Sequence, residues 1–132
     1  MRKIGIVDYG QGNINSVSKA LDKLNVEYLV SGSVDALKIC SHLILPGVGA
    51  FPTAMKKLED LKLVEFLQQC AVNTPILGIC LGAQIFMDYM EEDGGVEGLG
   101  FIKGEVIKLP IEESNTSWST FSFNKNNLSE DS

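Results

Sequence analysis

The sequence predicts an α/β domain in which a mostly parallel sheet lies between helical layers, a three-layer sandwich. Three observations carry this. Short apolar runs alternate with segments of helical period from the N-terminus to Met90, the pattern that right-handed crossovers between parallel strands produce. The run Ile76-Leu77-Gly78-Ile79 is apolar throughout rather than at every second position, as a strand covered on both faces is. Two strands run into the glycine-rich loops Gly10-Gln11-Gly12 and Pro46-Gly47-Val48-Gly49, and in an open parallel sheet such carboxyl-end loops gather the functional groups.

The elements follow in order. Lys3 to Asp8 reads as the first strand, Tyr9 to Asn13 as its loop, and Val17, Ala20, Leu21 and Leu24 as the buried stripe of a helix with Asn13 or Asn15 at its N-cap. Glu27 to Val30 is a short second strand. Ser31-Gly32-Ser33 then turns the chain into a brief helical piece, Val34 to Ile39. His42 to Leu45 is the third strand, and Pro46 to Phe51 is too rich in glycine for an element interior. Pro52 suits a helix start, and Met55, Leu58, Val64, Phe66 and Leu67 carry a helical region broken near Asp60. After the strand at Ile76 to Ile79, residues Leu81, Ile85, Phe86 and Tyr89 predict a helix reaching Met90. Asp93 to Gly100 is a glycine-rich loop, and Phe101 to Leu109 one or two strands bent at Gly104. The domain is expected to span residues 1–109. Residues 110–132, mostly Ser, Asn and Thr beyond Ser114, form a divergent polar tail expected to be disordered or a loose edge strand.

Composition narrows the function. The 132 residues suffice for one core, and a net charge of -6 without a Lys/Arg cluster argues against nucleic acid as a partner. No apolar run approaches the ~20 residues that span a bilayer, and Met1-Arg2-Lys3-Ile4 leads directly into a strand, so no membrane association and a cytoplasmic location are expected. Cys40, Cys70 and Cys80 form no CxxC pair, which fits a reducing compartment. Cys40 and Cys70, near the ends of helical segments, are expected to pack in the core.

Cys80 stands apart. It sits where the period changes from strand to helix, with Gly78 two residues before it and Gly82 two after. Such a strand–turn–helix elbow forces its central residue into a strained backbone conformation and needs small neighbours. The sulfur is then lifted from the sheet edge to a helix N-terminus, where the dipole and free N–H groups favour thiolate. A free cysteine among apolar residues is often a small buried hydrophobe, but the paired glycines favour a nucleophile.

Around that nucleophile the Gly47-Val48-Gly49 loop, with the N–H of Leu81, would form an oxyanion hole; a plain tight turn is the alternative. Gln84, one turn after Cys80, either lines a substrate pocket or is a surface glutamine. Glu91, Glu92 and Asp93 read equally as a solvated helix end. The Gly10-Gln11-Gly12 loop is an incomplete dinucleotide signature, because Asn15 stands where a third glycine belongs. His42, the single histidine, begins the third strand and so lies at the opposite sheet end from Cys80, which leaves no visible base.

Taken together, four stretches resemble one family: Asp8-Tyr9-Gly10-Gln11-Gly12-Asn13, Leu45-Pro46-Gly47-Val48-Gly49-Ala50-Phe51, Gly78-Ile79-Cys80-Leu81-Gly82-Ala83-Gln84 and Gly94-Gly95-Val96-Glu97-Gly98-Leu99-Gly100. They are similar to the glutaminase subunits of imidazole glycerol phosphate synthase, class I triad glutamine amidotransferases with a flavodoxin-like core. The resemblance implies that Cys80 attacks the glutamine side-chain amide, forming a thioester and releasing ammonia. It implies an oxyanion site at the backbone of Val48, Gly49 and Leu81, and substrate binding by Gly47, Gly82, Gln84 and Glu92. It implies no cofactor or metal, and a cyclase barrel subunit as heterodimeric partner that spends the ammonia in histidine biosynthesis. Tyr9, Gln11, Asn13 and Asn15 would face that partner. Family members continue through a Pro-His-x-Gly-Trp-Asn segment and a His-Pro-Glu segment that carry the triad base and its carboxylate. Here Thr116-Ser117-Trp118-Ser119 keeps only the tryptophan of the first, and the second is absent, so the resemblance implies a C-terminally truncated core. Two alternatives remain: a catalytically silent binding module, and a sibling amidotransferase for sugar amination in surface-polysaccharide synthesis.

Overall fold

Four parallel strands make the central sheet, and their carboxyl ends hold the loops of interest. In this computed structural model, which describes residues 2–91, 94–110, 120 and 122, the chain runs β1 (Ile4–Val7), α1 (Ile14–Lys23), β2 (Tyr28–Ser31), α2 (Val34–Leu37), β3 (His42–Leu45), α3 (Phe51–Asp60) and α4 (Leu63–Cys70). It continues through β4 (Ile76–Gly78), α5 (Leu81–Gln84), β5 (Met87–Met90), β6 (Val96–Glu97) and β7 (Ile102–Val106). The central strand order is β2-β1-β3-β4, with every neighbouring pair parallel.

Alternation along the strands divides the core in two. Val7, Leu43 and Leu45 point to one face and pack with Phe51, Leu58, Leu63 and Leu67 of α3 and α4. Ile6 and Ile44 point to the other, where Leu21 of α1 covers them. Each fully buried Leu or Ile contributes about 1.5–3 kcal/mol of transfer free energy, and the larger cluster makes the α3–α4 side the firmer one. Cys40 belongs to this cluster, with Cys70 packed at its margin.

Local chemistry explains the boundaries. Asn13 caps α1, its side-chain oxygen accepting the N–H of Ser16 at 3.2 Å. Pro52 sits in the first turn of α3, and the expected break in that helical region falls at Leu61-Lys62, where Lys62 takes a left-handed φ of 58° and α4 starts afresh.

Beyond β4 the chain departs from expectation. The helix after Cys80 ends at Gln84 and gives way to β5, which pairs with β6 antiparallel and with β7 parallel. Returning backbone claims these residues: Leu99 N–H donates to the Ile85 carbonyl at 2.7 Å, Gly98 N–H to Asp88 at 2.9 Å and Ile102 N–H to Phe86 at 3.0 Å. A one-turn helix has few bonds to set against that ladder. The Gly94–Gly100 loop contains β6, and Phe101–Leu109 yields one strand, with Gly104 inside it at φ 140°. Glu92 and nearly all of the 110–132 tail lie outside the described residues.

Candidate active site

At the end of β4 the Ile79 N–H still bonds the Leu45 carbonyl, at 3.0 Å. The next residue breaks away. Cys80 has φ 56° and ψ −119°, is exposed, and caps α5. A non-glycine residue held there costs about 1–3 kcal/mol and persists only when its surroundings over-determine it. Those surroundings are main chain. A Cβ on Gly82 would stand 1.8 Å from the Leu45 carbonyl oxygen, and one on Gly78 would stand 2.7 Å from the Ala83 Cα. Both glycines are therefore fixed by close approach, as the elbow requires. The dipole expected beneath Cys80 is smaller than a ten-residue helix would supply, because α5 is a single turn.

The Pro46–Gly49 loop is seated on this elbow. A Cβ on Gly47 would lie 2.7 Å from the Gly82 nitrogen, 2.8 Å from the Tyr9 hydroxyl oxygen and 2.9 Å from the Leu81 Cβ. Tyr9 was expected to face a partner, yet it is 4% exposed and its hydroxyl donates to the Pro46 carbonyl at 2.7 Å. Burial pushes its phenol up to about 12. Its role is to brace the loop from below, which the sequence signals only by placing a large aromatic before Gly10. Lys57, also missed, reaches from α3 with Nζ 3.4 Å from the Gly10 carbonyl.

The loop expected to supply the oxyanion site lies against the elbow, with its N–H groups differently engaged. Val48 N–H donates to the Gln11 carbonyl at 3.2 Å, so this group is occupied by the first loop. The N–H groups of Gly49 and Leu81 have no acceptor among the described residues. Gly49 has φ 96°, and a Cβ there would lie 3.5 Å from Gln11 Oε1. Gln11 thus holds this loop by its backbone and overlies it by its side chain. Gln84 is exposed one turn beyond Cys80, its N–H donating to the Cys80 carbonyl at 3.1 Å. Asn13 is committed to its cap, while Asn15 is exposed on the first turn of α1.

His42 pairs in register with Ile4, the first residue of β1, at the opposite end of the sheet from Cys80. Its Nδ1 lies 2.9 Å from Ser41 Oγ. No group of three or more His, Cys, Asp or Glu side chains among the described residues could hold a metal.

A parallel sheet, a strained cysteine elbow and a glycine loop packed on its first N–H groups are the arrangement of an acyl-transfer thiol site. The family model described as "Glutamine amidotransferase class-I" matches residues 5–126, and the chain belongs to that family. Its similar relatives include the imidazole glycerol phosphate synthase subunit HisH of Geobacillus thermodenitrificans, 48% identical over 111 residues, covering 83% of this chain and 52% of the relative. The subunit HisH of Lactococcus lactis is 45% identical over 114 residues, covering 86% of this chain and 56% of the relative. The chain thus spans about half the length of the curated relatives it matches. A crystal structure described as a glutamine amidotransferase shares the fold, with a TM-score of 0.69 and 21% identity over 79% of this chain and 55% of that one.

Proposed function

We propose that this chain is the nucleophile-bearing part of a glutaminase that supplies ammonia to a cyclase subunit of imidazole glycerol phosphate synthase, in the cytoplasm. The observation that carries the reading is Cys80 at φ 56° between two glycines that main-chain contact makes obligatory. Relatives named as synthase subunits support the acceptor, and free Cys40, Cys70 and Cys80 support the reducing setting. Glutamine would lie against Gly47, Gly82 and Gln84; Glu92, expected to help hold it, lies outside the described residues. Cys80 sulfur attacks the side-chain carbonyl carbon, and the oxyanion takes hydrogen bonds from the N–H groups of Leu81 and Gly49. Val48 joins them once its N–H leaves Gln11. Collapse expels the amide nitrogen, which leaves as ammonia with the proton given up by the thiol, and water then hydrolyses the thioester to glutamate and the free thiol. The side that carries half-buried Gln11 and the exposed Asn13 and Asn15 would meet the cyclase, and residues 1–109 would form the domain.

Treatment with 6-diazo-5-oxo-L-norleucine, a glutamine-shaped diazoketone, should place one adduct on Cys80 by peptide mass mapping. A well-folded sample that stays unlabelled at Cys80 would sink the reading.

The position of His42 favours a second reading for the chain by itself. Proton transfer to and from sulfur needs a base, and none stands beside Cys80 among the described residues. A silent module that docks on the cyclase would release no ammonia above background with or without the barrel subunit, whereas a working glutaminase rises on adding it. If ammonia release rises instead with a sugar-aminating synthase, the sibling assignment is correct.

A further inference from the structure

The ends of β1, β3 and β4 meet at the foot of the Cys80 elbow, and one polar atom there has a single partner. The Pro46 carbonyl is buried, and among the described residues its one donor is the Tyr9 hydroxyl, at 2.7 Å. Its carbon stands 3.2 Å from where a Cβ on Gly82 would be, so this carbonyl belongs to a peptide that rests on the first turn of α5. Tyr9 reaches the same spot. Its hydroxyl oxygen, the Leu81 Cβ and the Gly82 nitrogen all lie within 2.9 Å of the point that a Cβ on Gly47 would occupy, which wedges the hydroxyl between the glycine loop and the elbow. A phenylalanine ring would fill the same place in the core cluster. The hydroxyl therefore answers to something other than packing.

Two N–H groups of these loops, those of Gly49 and Leu81, have no acceptor among the described residues. A carbonyl oxygen and an oxyanion compete for the same donors. While Tyr9 holds it, the Pro46 oxygen does not enter that competition. Deprived of the hydroxyl it becomes a buried acceptor with no donor, and rotation of the Pro46–Gly47 peptide toward a free N–H is the remedy open to it. Such a rotation brings partial negative charge to the place where the reaction develops its own, the reverse of what an oxyanion site needs.

We infer that Tyr9 is a positioning residue for the oxyanion site: by binding the Pro46 carbonyl, its hydroxyl keeps that dipole off the Gly49 and Leu81 N–H groups and leaves them to the reacting oxygen. The inference rests on the glutaminase reading and concerns a side chain that touches neither glutamine nor sulfur.

The test uses the whole chain and the γ-(4-nitrophenyl) ester of L-glutamate. The Cys80 thiolate adds to the ester carbonyl carbon, the carbon–oxygen bond breaks, and 4-nitrophenolate leaves with the electron pair, the proton of the thiol having gone to buffer. This leaving group needs no proton, so acylation is measurable without a triad base. Iodoacetamide alkylates the same sulfur by displacing iodide from a saturated carbon, where no oxyanion forms. Tyr9→Phe should slow nitrophenolate release by about tenfold or more and keep the alkylation rate of Cys80 close to that of the parent. Tyr28→Phe, which deletes an exposed hydroxyl bonded to Asp22 at 3.0 Å, should alter neither rate. Release by a Cys80→Ala chain is subtracted, and circular dichroism establishes that each variant is folded. Equal acylation by parent and Tyr9→Phe overturns the inference. So does a parallel loss of acylation and alkylation, the mark of a residue that only props the elbow. Both outcomes leave the glutaminase reading standing, whereas a folded parent never acylated at Cys80 sinks that reading and this inference with it. Should Tyr9→Phe not fold, NMR of the parent decides: the Tyr9 hydroxyl proton is expected to exchange slowly and to contact the Gly47 α-protons, and a hydroxyl in free exchange with water overturns the proposal.

Discussion

Cys80 keeps its position because of residues that take no part in chemistry. A methyl group at Gly82 meets a main-chain oxygen rather than a movable side chain, so Gly82→Ala should cost more than the ~1–3 kcal/mol of ordinary overpacking. The measurable outcome is a large fall in melting temperature or loss of soluble protein, where Cys80→Ser leaves both close to the parent. Tyr9 makes a different prediction. Its phenol is held up to about 12 by burial, against the ordinary 10.0 of a tyrosine, so between these pH values the unfolded chain has lost a proton that the folded chain retains. Stability contributed by the neutral phenol is complete below about pH 10 and falls as pH rises toward about 12. Tyr9→Phe should flatten that alkaline slope in urea titrations while losing about 1 kcal/mol at neutral pH with the Pro46 hydrogen bond. The strained turn at Cys80 and its glycines were legible in the sequence because an elbow leaves a local pattern. The inward turn of Tyr9 and the Val48–Gln11 bond were not, since both depend on two loops meeting across 37 residues of chain.

Among the elements, the first half of the chain follows its local signals and the second half does not. Asn13, read as a cap, is one. Asn13→Ala should lower stability by about 1 kcal/mol, seen as a reduced urea midpoint at unchanged slope. The His42–Leu45 strand and the break before α4 also fall where periodicity and turn residues place them. Residues 85–90 fail the same logic. Leu81 and Ile85 are buried as the helical stripe demands, but Tyr89 belongs to β5 and is 39% exposed. Pairing with β7, some fifteen residues on, decides their conformation, and no window of neighbouring sequence contains that partner.

For the molecule as a whole, the candidate site holds a thiol, two N–H groups without an acceptor and a third tied to Gln11, and among the described residues no base stands at the same sheet end. Ammonia release from glutamine by the isolated chain should therefore lie about three or more orders of magnitude below that of a complete glutaminase, since loss of a triad member has effects of that size. A coupled glutamate assay on the chain, run beside the full-length Geobacillus thermodenitrificans relative, measures it. The contact between Gly82 and Leu45 has a consequence for redesign. The reacting atom can be exchanged, sulfur for oxygen, by altering one exposed side chain, but its coordinates are inherited from the backbone of β3 and no choice of side chain relocates them. New chemistry at this spot is open to substitution. A new location for it would require redrawing the sheet.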